Sequence, residues 1–386
     1  MFENSPCLDC IAHEECGGWS SSNAENEMFD CFEVFPSANG HFTHTSFPME
    51  MARRLGEVSF HRQVHSRKFV QIKPGELPSY LPLVQGGLTF HRPLKLEFAA
   101  LNLIDIFHGC KERRLKFGER KLTADSLRKE WGLHPSTRVL LSGVANDPSL
   151  ERLWANYRIQ DLGKNLAGLN IFAITAPNFT FWKNAPRIEN LINRRRMFKI
   201  AEAFSNEGVS VIPHLNSTHP NDWKWMTEFF KEHSELNSVC MEFRTGNRFK
   251  EIRREKINSL ATLREQIGRN LYPIIIGNIE AAREVFQYFG HVTAIDSTPS
   301  IKTIKRQKPV PGANITERWS KKPIASGQCL SALFEQNYRS HRRRVINRIY
   351  LSEREVEVDK VMNVGQNTPS PTSNCYVQDV LPLDAA

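Results

Sequence analysis

From about residue 137 the chain alternates short apolar runs with longer stretches in which apolar residues recur every three or four positions. The runs are Val139-Leu-Leu-Ser-Gly143, Ile171-Phe-Ala-Ile-Thr175, Val209-Ser-Val-Ile-Pro213, Ser238-Val-Cys-Met-Glu242, Tyr272-Pro-Ile-Ile-Ile276 and His291-Val-Thr-Ala-Ile295. Helical patterns fill the intervals over 150–166, 187–207, 222–233, 257–268 and 279–289. Strands apolar on both faces belong in a parallel sheet covered by helices, because a sheet with one wet face would alternate apolar and polar residues. A repeat of roughly 30 residues is that of βαβ crossovers. Six such strands, the first five followed by helices, plus one or two units in residues 65–130, predict an α/β fold of the TIM-like (β/α)8 barrel type. A doubly wound open sheet is the alternative. No glycine-rich phosphate loop follows any run, which argues against a nucleotide-binding version of either.

The rest of the chain divides around this core. Residues 1–40 are rich in Cys, Gly and Ser and read as a small metal-organised lobe. Residues 41–136, with Pro74, Pro78, Pro82 and Gly86-Gly87, read as a connector holding the first barrel elements. Within it, 96–132 reads as two helical stretches, the second being Thr123 to Trp131 with Thr123 as its cap. The barrel core spans 137–308, a basic helical extension 309–350 with its helix from about Leu330 through Arg348, and a flexible tail 351–386.

Composition adds a partner. Hydrophobic residues make up 40% and charged residues 24%, as in a globular protein with a real core. The net charge is +9. Positive charge concentrates at Arg194-Arg195-Arg196, at Lys302, Lys305 and Arg306, and at Arg342-Arg343-Arg344, which predicts contacts to a nucleic-acid backbone. The alternative for each segment is a solvated basic face. No run approaches eighteen apolar residues, so no membrane partner is expected. The first residues lack a basic segment followed by an apolar one, which predicts a cytoplasmic protein.

A reducing compartment changes the reading of Cys7, Cys10, Cys16 and Cys31. Their C-x2-C-x5-C-x14-C spacing predicts a metal site over a disulfide framework. The uneven three-plus-one grouping favours a 4Fe–4S cluster over zinc, whose knuckles come as two paired hooks. A staple joining a small lobe to the core is the purely structural alternative. Radical chemistry with S-adenosylmethionine would need Cys-x3-Cys-x2-Cys, which is absent. Cys240 lies in a predicted buried strand and reads as core.

Chemistry in parallel α/β folds collects where the strands end at their carboxyl edge. The ends here carry Ser142 and Asn146, Thr175 and Asn178, His214 and Asn216, Glu242 and Arg244, Gly277 and Asn278, and Asp296-Ser297-Thr298. Each has a plain structural alternative. Asp296 can form an Asx turn or cap a helix, Glu242 and Arg244 can pair on one strand face, and His214 can be a satisfied loop histidine. Taken together, two carboxylates, a histidine, an arginine and amides suit polar-bond chemistry on a nitrogenous ring, glycosidic cleavage included. Phe179, Phe181, Trp182, Trp223 and Trp225 can stack an extruded base or simply pack a lid.

Ile174-Thr-Ala-Pro-Asn-Phe-Thr-Phe-Trp182, Ala185-Pro-Arg187, Asn193-Arg-Arg-Arg196 and Gly208-Val-Ser-Val-Ile-Pro213 resemble a family of bacterial and phage barrel proteins. With the closing Asp296-Ser-Thr, the chain is distantly similar to the tRNA-guanine transglycosylase superfamily. That superfamily includes enzymes exchanging guanine for deazaguanine in DNA, near a phage-defence glycosylase acting on glucosylated hydroxymethylcytosine in DNA. The resemblance covers residues 137–300. It implies Asp296 as the nucleophile or partner of the sugar cation. Together with the strand-end inventory this predicts Glu242 or His214 for protons, and Asn178, Arg244, Asn216, Asn278 and Trp182 against the base, with DNA favoured over RNA. The superfamily's zinc ligands lie late in the chain and its glycine-rich base loop has no counterpart here, so base removal is expected over base exchange. A non-catalytic, metal-containing nucleic-acid-binding protein and a tRNA base transglycosylase are the alternatives.

Overall fold

The computed structural model describes residues 53–58, 69–107 apart from 74, 87 and 89, 122–181, 187–244, 249–310, 319–321 and 330–350. It also describes Ala12, Glu15 and a short antiparallel pairing of Pro36–Ser37 with Gly40–His41. Cys7, Cys10, Cys16, Cys31 and Trp182 lie outside the described residues, as does the tail.

The fold is α/β with parallel sheets. Its strands are β1 (Tyr80–Pro82), β2 (Phe98–Asn102), β3 (Arg138–Ser142), β4 (Ala173–Thr175), β5 (Val211–Ile212), β6 (Ser238–Glu242), β7 (Tyr272–Ile276) and β8 (Thr293–Asp296). One sheet has the order β2-β3-β4-β5 and the other β1-β8-β7-β6, with every pairing parallel. Single parallel bridges, Leu83 to Ala100 and His214 to Cys240, join the two sheets at both seams. The pairings therefore run through all eight strands and return to the first.

The two faces of this ring separate cleanly. Leu81, Leu83, Phe98, Ala100, Leu140, Ala173, Ile212, Cys240, Ile274, Ile276 and Ile295 form one buried cluster with Ile72. Their neighbours of opposite parity, such as Tyr80, Val139, Ile174, Val239 and Ala294, join the larger cluster with the helices. Side chains alternate along a strand, so the first set marks the inner face and the second the helix-covered face. Each fully buried Leu or Ile contributes about 1.5–3 kcal/mol, so a one-residue slip of any strand is strongly disfavoured.

Helices follow the strands as the apolar spacing predicts: α1 (Ala124–Glu130) precedes β3, then come α2 (Asp147–Asn156), α3 (Leu162–Ala167), α4 (Arg187–Asn206), α5 (Pro220–Glu232), α6 (Lys250–Ile267) and α7 (Ile279–Phe289). Local chemistry sets their ends. Thr123 caps α1 in a capping box with Ser126, Asn146 accepts from the Ser149 amide at the start of α2, and Gly268 ends α6 in the left-handed region.

Two expectations change. Residues 98–102 form β2, where the sequence reading places a helix. Phe-Ala-Ala-Leu-Asn is made of helix-compatible residues, yet Phe98 to Leu101 are buried between β3 and the β1 segment, and that burial overrides propensity. β8 does not close the series, because α8 (Thr298–Ile304) follows it, then an antiparallel pair β9 (Gln307–Pro309) and β10 (Trp319–Lys321). The last helix, α9 (Leu330–Tyr350), is no solvated basic rod. Ser331, Phe334, Asn337, His341, Val345 and Ile349 form a buried face. Arg92 holds Glu335 through two bonds of 2.9 and 2.6 Å, and Asn337 donates to Thr303 Oγ1 at 3.1 Å and to the Gln307 carbonyl at 2.9 Å.

Candidate active site

β5 leads through Pro213 into His214, which keeps the parity of Ile212 and bridges Cys240 on β6. The backbone continues the ladder here: the Cys240 amide donates to the Pro213 carbonyl and the Leu215 amide to the Cys240 carbonyl, both at 2.8 Å. Two steps past Cys240 on the same face stands Glu242, level with Ile276. His214, Asn216 and Glu242 are all buried. From α6, the Lys256 amine donates to Asn216 Oδ1 at 3.2 Å. The Asn216 amide in turn donates to Asn178 Oδ1 at 3.3 Å and to the Phe179 carbonyl at 3.4 Å. Glu242 Oε1 accepts the Arg244 backbone N–H at 2.6 Å. The structure thus gathers Asn178, His214, Asn216, Glu242 and Lys256 at the carboxyl edge of β4, β5 and β6.

Burial and neighbouring charge set the protonation of this group. Burial, reinforced by the Lys256 charge, pushes the His214 imidazole down to about 3, so the ring is neutral near pH 7 and is no proton donor as an imidazolium. Its Nδ1 is buried and, among the described residues, has no hydrogen-bond partner. Burial also lowers the Lys256 amine to about 8, against the opposing charges of Glu242, Glu255 and Asp222.

Asp296 is placed differently. Ala294 is level with Tyr80 and Asp296 with Pro82, which gives Asp296 the parity of the helix-covered face. Its Oδ1 accepts from the Tyr80 hydroxyl at 3.2 Å and the Thr298 amide at 2.8 Å, and its Oδ2 lies 2.7 Å from His341 Nε2 of α9. Burial acts to raise this carboxyl. The His341 bond and charge, with Thr298 and Tyr80, outweigh it and hold the group below the ordinary aspartate value. The expected Asx turn is therefore present, and both oxygens are taken by groups on the outer side of the ring. Tyr338 stacks on Tyr80 at 6.1 Å, which seals this contact with another aromatic from α9.

The remaining predicted residues divide between framework and surface. Asn278 is the cap of α7, its Oδ1 accepting from the Ala281 amide at 3.1 Å. Arg244 is half-buried with its stem lying over Gly277, where a β-carbon would come within 2.2 Å of Arg244 Cγ. Gly277 also has φ of +91°, so this close approach requires glycine twice over. Arg194 is buried and pairs with Glu15 and, at 3.1 Å, with Asp222, which also takes two bonds from Arg187 at 2.6 and 2.8 Å. Arg196 is buried against Glu151 at 2.8 Å, and Arg195 is half-buried. Arg194 and Arg196 are thus held in ion pairs, and Asp222 also accepts from the Thr218 and His219 amides of the loop before α5. Lys302 is half-buried, its amine 4.9 Å from the Trp319 ring centre, while Lys305 and Arg306 are exposed. On α9, Arg343 is exposed and Arg342 and Arg344 are half-buried. Phe179 and Phe181 belong to the core, and Trp225 stacks on Phe229 at 5.2 Å with the Arg194 guanidinium 4.3 Å from its ring centre. Those aromatics are packing.

Lys256, Tyr80 and His341 escape the sequence reading. His341 had a signal: it falls in the spacing Phe334, Asn337, His341, Val345, Ile349, a polar ring in the middle of an otherwise buried helical stripe. Cys240 is a buried free thiol, as expected of a core position. Among the described residues, no group of three or more His, Cys, Asp or Glu is arranged to hold a metal ion. No helix among them is long and apolar enough to cross a membrane.

No protein-family model matches the chain, and no curated protein does. Among solved structures it is similar to TsXylA, an intracellular xylanase from Thermoanaerobacterium saccharolyticum, at 11% identity and a TM-score of 0.29, over 57% of this chain and 88% of that one. A likeness of this size carries no functional information.

Proposed function

We propose that the protein is an N-glycosidic-bond enzyme acting on a modified base in DNA, built on a (β/α)8 barrel whose mouth is the carboxyl edge of the eight strands. The bridges that join the two sheets at both seams support the barrel reading. The observation that carries the functional reading is the inner-edge cluster, a buried carboxylate beside an amine, a neutral imidazole and two amides. This set can stabilise a sugar cation and remain selective for a planar nitrogenous ring.

In this reading Glu242 faces the anomeric carbon. As the base departs with the electrons of the C–N bond, Glu242 balances the developing positive charge and takes the proton of the water that forms the new C–O bond. The departing nitrogen is protonated as it leaves, and the Lys256 ammonium is the acid within the cluster. Asn178 and Asn216 offer amides to the base edge, and His214 Nδ1, without a partner among the described residues, offers a further polar contact. The resemblance points instead to Asp296 as the group at the sugar. Its parity and its three hydrogen bonds assign it here to holding α9 on the ring. Exposed Lys305, Arg306 and Arg343 supply backbone contacts. Cys7, Cys10, Cys16 and Cys31 would hold a 4Fe–4S cluster, with zinc as the other occupant their chemistry allows, and no chemical step runs through it. Visible absorbance of anaerobically purified protein separates the two metals.

The test is base release. The protein is incubated with a panel of unmodified, glucosylated and deazaguanine-containing DNAs, and free bases and abasic sites are measured. Release from at least one modified DNA is expected, and no release from any member contradicts the reading.

A further inference from the structure

Lys256 brings an amine from a helix to the inner-edge cluster. It sits on the second turn of α6, yet its amine is turned into the inner-edge cluster and bonds a neutral amide oxygen, Asn216 Oδ1, at 3.2 Å. Around it stand the Glu242 carboxylate on β6, Glu255 on its own helix, Asp222 on α5 and the neutral His214 ring at the end of β5. Among the described residues the buried His214 Nδ1 has no hydrogen-bond partner, which leaves a polar position at this edge for a ligand to meet.

We propose that Lys256 is an amine nucleophile that forms an imine with the open-chain aldehyde of an abasic sugar in DNA, so that the protein also cleaves the strand as a lyase. The inference rests on the N-glycosidic reading, which generates such a sugar. It also connects to it chemically, since donation of a proton to the departing base leaves Lys256 as a neutral amine. An amine with a value of about 8 is neutral in roughly a tenth of molecules at pH 7, against far fewer for an ordinary lysine.

The step balances without oxidant or reductant. The amine lone pair attacks C1′ and forms the C–N bond, the carbonyl oxygen takes one proton from the attacking nitrogen and one from solvent, and water leaves to give the protonated imine. That protonated imine acidifies the C2′ hydrogen. Glu242 is the carboxylate on that face to receive this proton, and the electron pair moves in to expel the 3′ phosphate, breaking the C3′–O bond.

The experiment uses the full-length protein and DNA carrying a preformed abasic site, with sodium borohydride to reduce the imine to a stable secondary amine. A covalent protein–DNA adduct is expected, and peptide mass spectrometry should map it to Lys256. Lys256→Arg, whose guanidinium stays protonated, should lower adduct yield by about two orders of magnitude with its thermal unfolding intact. Lys250→Arg, an exposed position on the same helix, should trap as the parent does. Absence of adduct, or an adduct mapped to another amine, overturns the inference. Because the abasic site is supplied, base release and trapping fail separately. Release without trapping removes only the lyase, and trapping at Lys256 without release from any DNA removes only the glycosidic reading.

Discussion

Glu242 and Asp296 are both carboxylates at the carboxyl edge of parallel strands, separated by a single strand, and they face opposite ways. Glu242 is level with Ile276, and Ile276 with Ile295, so Glu242 shares the inner face with Ile295. Asp296 is the next residue along, and one step along a strand reverses the side chain. One carboxylate therefore sits on the inner face, accepts the Arg244 backbone N–H and acts through its charge on the Lys256 amine. The other meets Tyr80 and His341 in the layer between strand and helix. Position at a strand end makes a residue available to a site, and register decides whether it enters.

The largest expected effect separates the two directly. Glu242→Gln keeps the shape of the side chain and removes its charge, so base release should fall by about a thousandfold while thermal unfolding moves little, as kinetics with modified DNA and calorimetry will record. Asp296→Asn should reverse that pattern. It removes the anionic partner of a buried histidine and should lower stability by about 3 kcal/mol, with base release per folded molecule largely retained. His341→Ala should destabilise in parallel and, combined with Asp296→Asn, add less than the sum of the two.

The same division is visible in pH. The folded His214 value of about 3 lies well below that of the free side chain, so between about pH 6.5 and 3 the unfolded chain binds more protons. Stability contributed by His214 is present above that window and lost progressively as pH falls through it. Asp296, also depressed, contributes stability above the free aspartate value and loses it as pH falls further. Denaturant unfolding followed from pH 7 to 4 should show a slope that His214→Gln flattens and Asp296→Asn leaves in place.

Much of this arrangement was legible in the sequence. The runs at 138–142, 238–242 and 272–276 fold as strands because each is apolar on both faces, and α4 and α7 keep the predicted bounds to within a residue. β1 and β2 were harder to read. Tyr80–Pro82 is three residues long with Pro78 just before it, and Phe98–Asn102 is built from residues that also suit a helix. At the edge, residue type flagged Glu242, His214, Asn178 and Asn216, but no pattern along the chain gives the face of a residue in the last position of a strand. Long-range partners were equally hidden: Asp296 and His341 lie 45 residues apart, and Tyr80 and Asp296 lie 216 apart. The partners of the arginine triplet were hidden in the same way. The charge run at 194–196 read as surface, while the fold supplies Asp222, Glu15 and Glu151 to bury two of its members.

A smaller effect tests the exposed basic positions that remain. Lys305→Glu and Arg343→Glu should each weaken DNA binding modestly and reduce the slope of log affinity against log salt by about one, as fluorescence anisotropy across a salt series will show. Arg194→Gln should instead lower the unfolding temperature, since the buried guanidinium pairs with the buried Asp222 carboxylate.

The most direct test is base release per folded molecule from Glu242→Gln and Asp296→Asn, measured side by side on the same modified DNA with stability recorded for each. Loss of release in the stable Glu242 variant, and its retention in the destabilised Asp296 variant, is the predicted result. A fully folded Asp296→Asn without activity, beside an active Glu242→Gln, would contradict it and return the chemistry to the outer carboxylate.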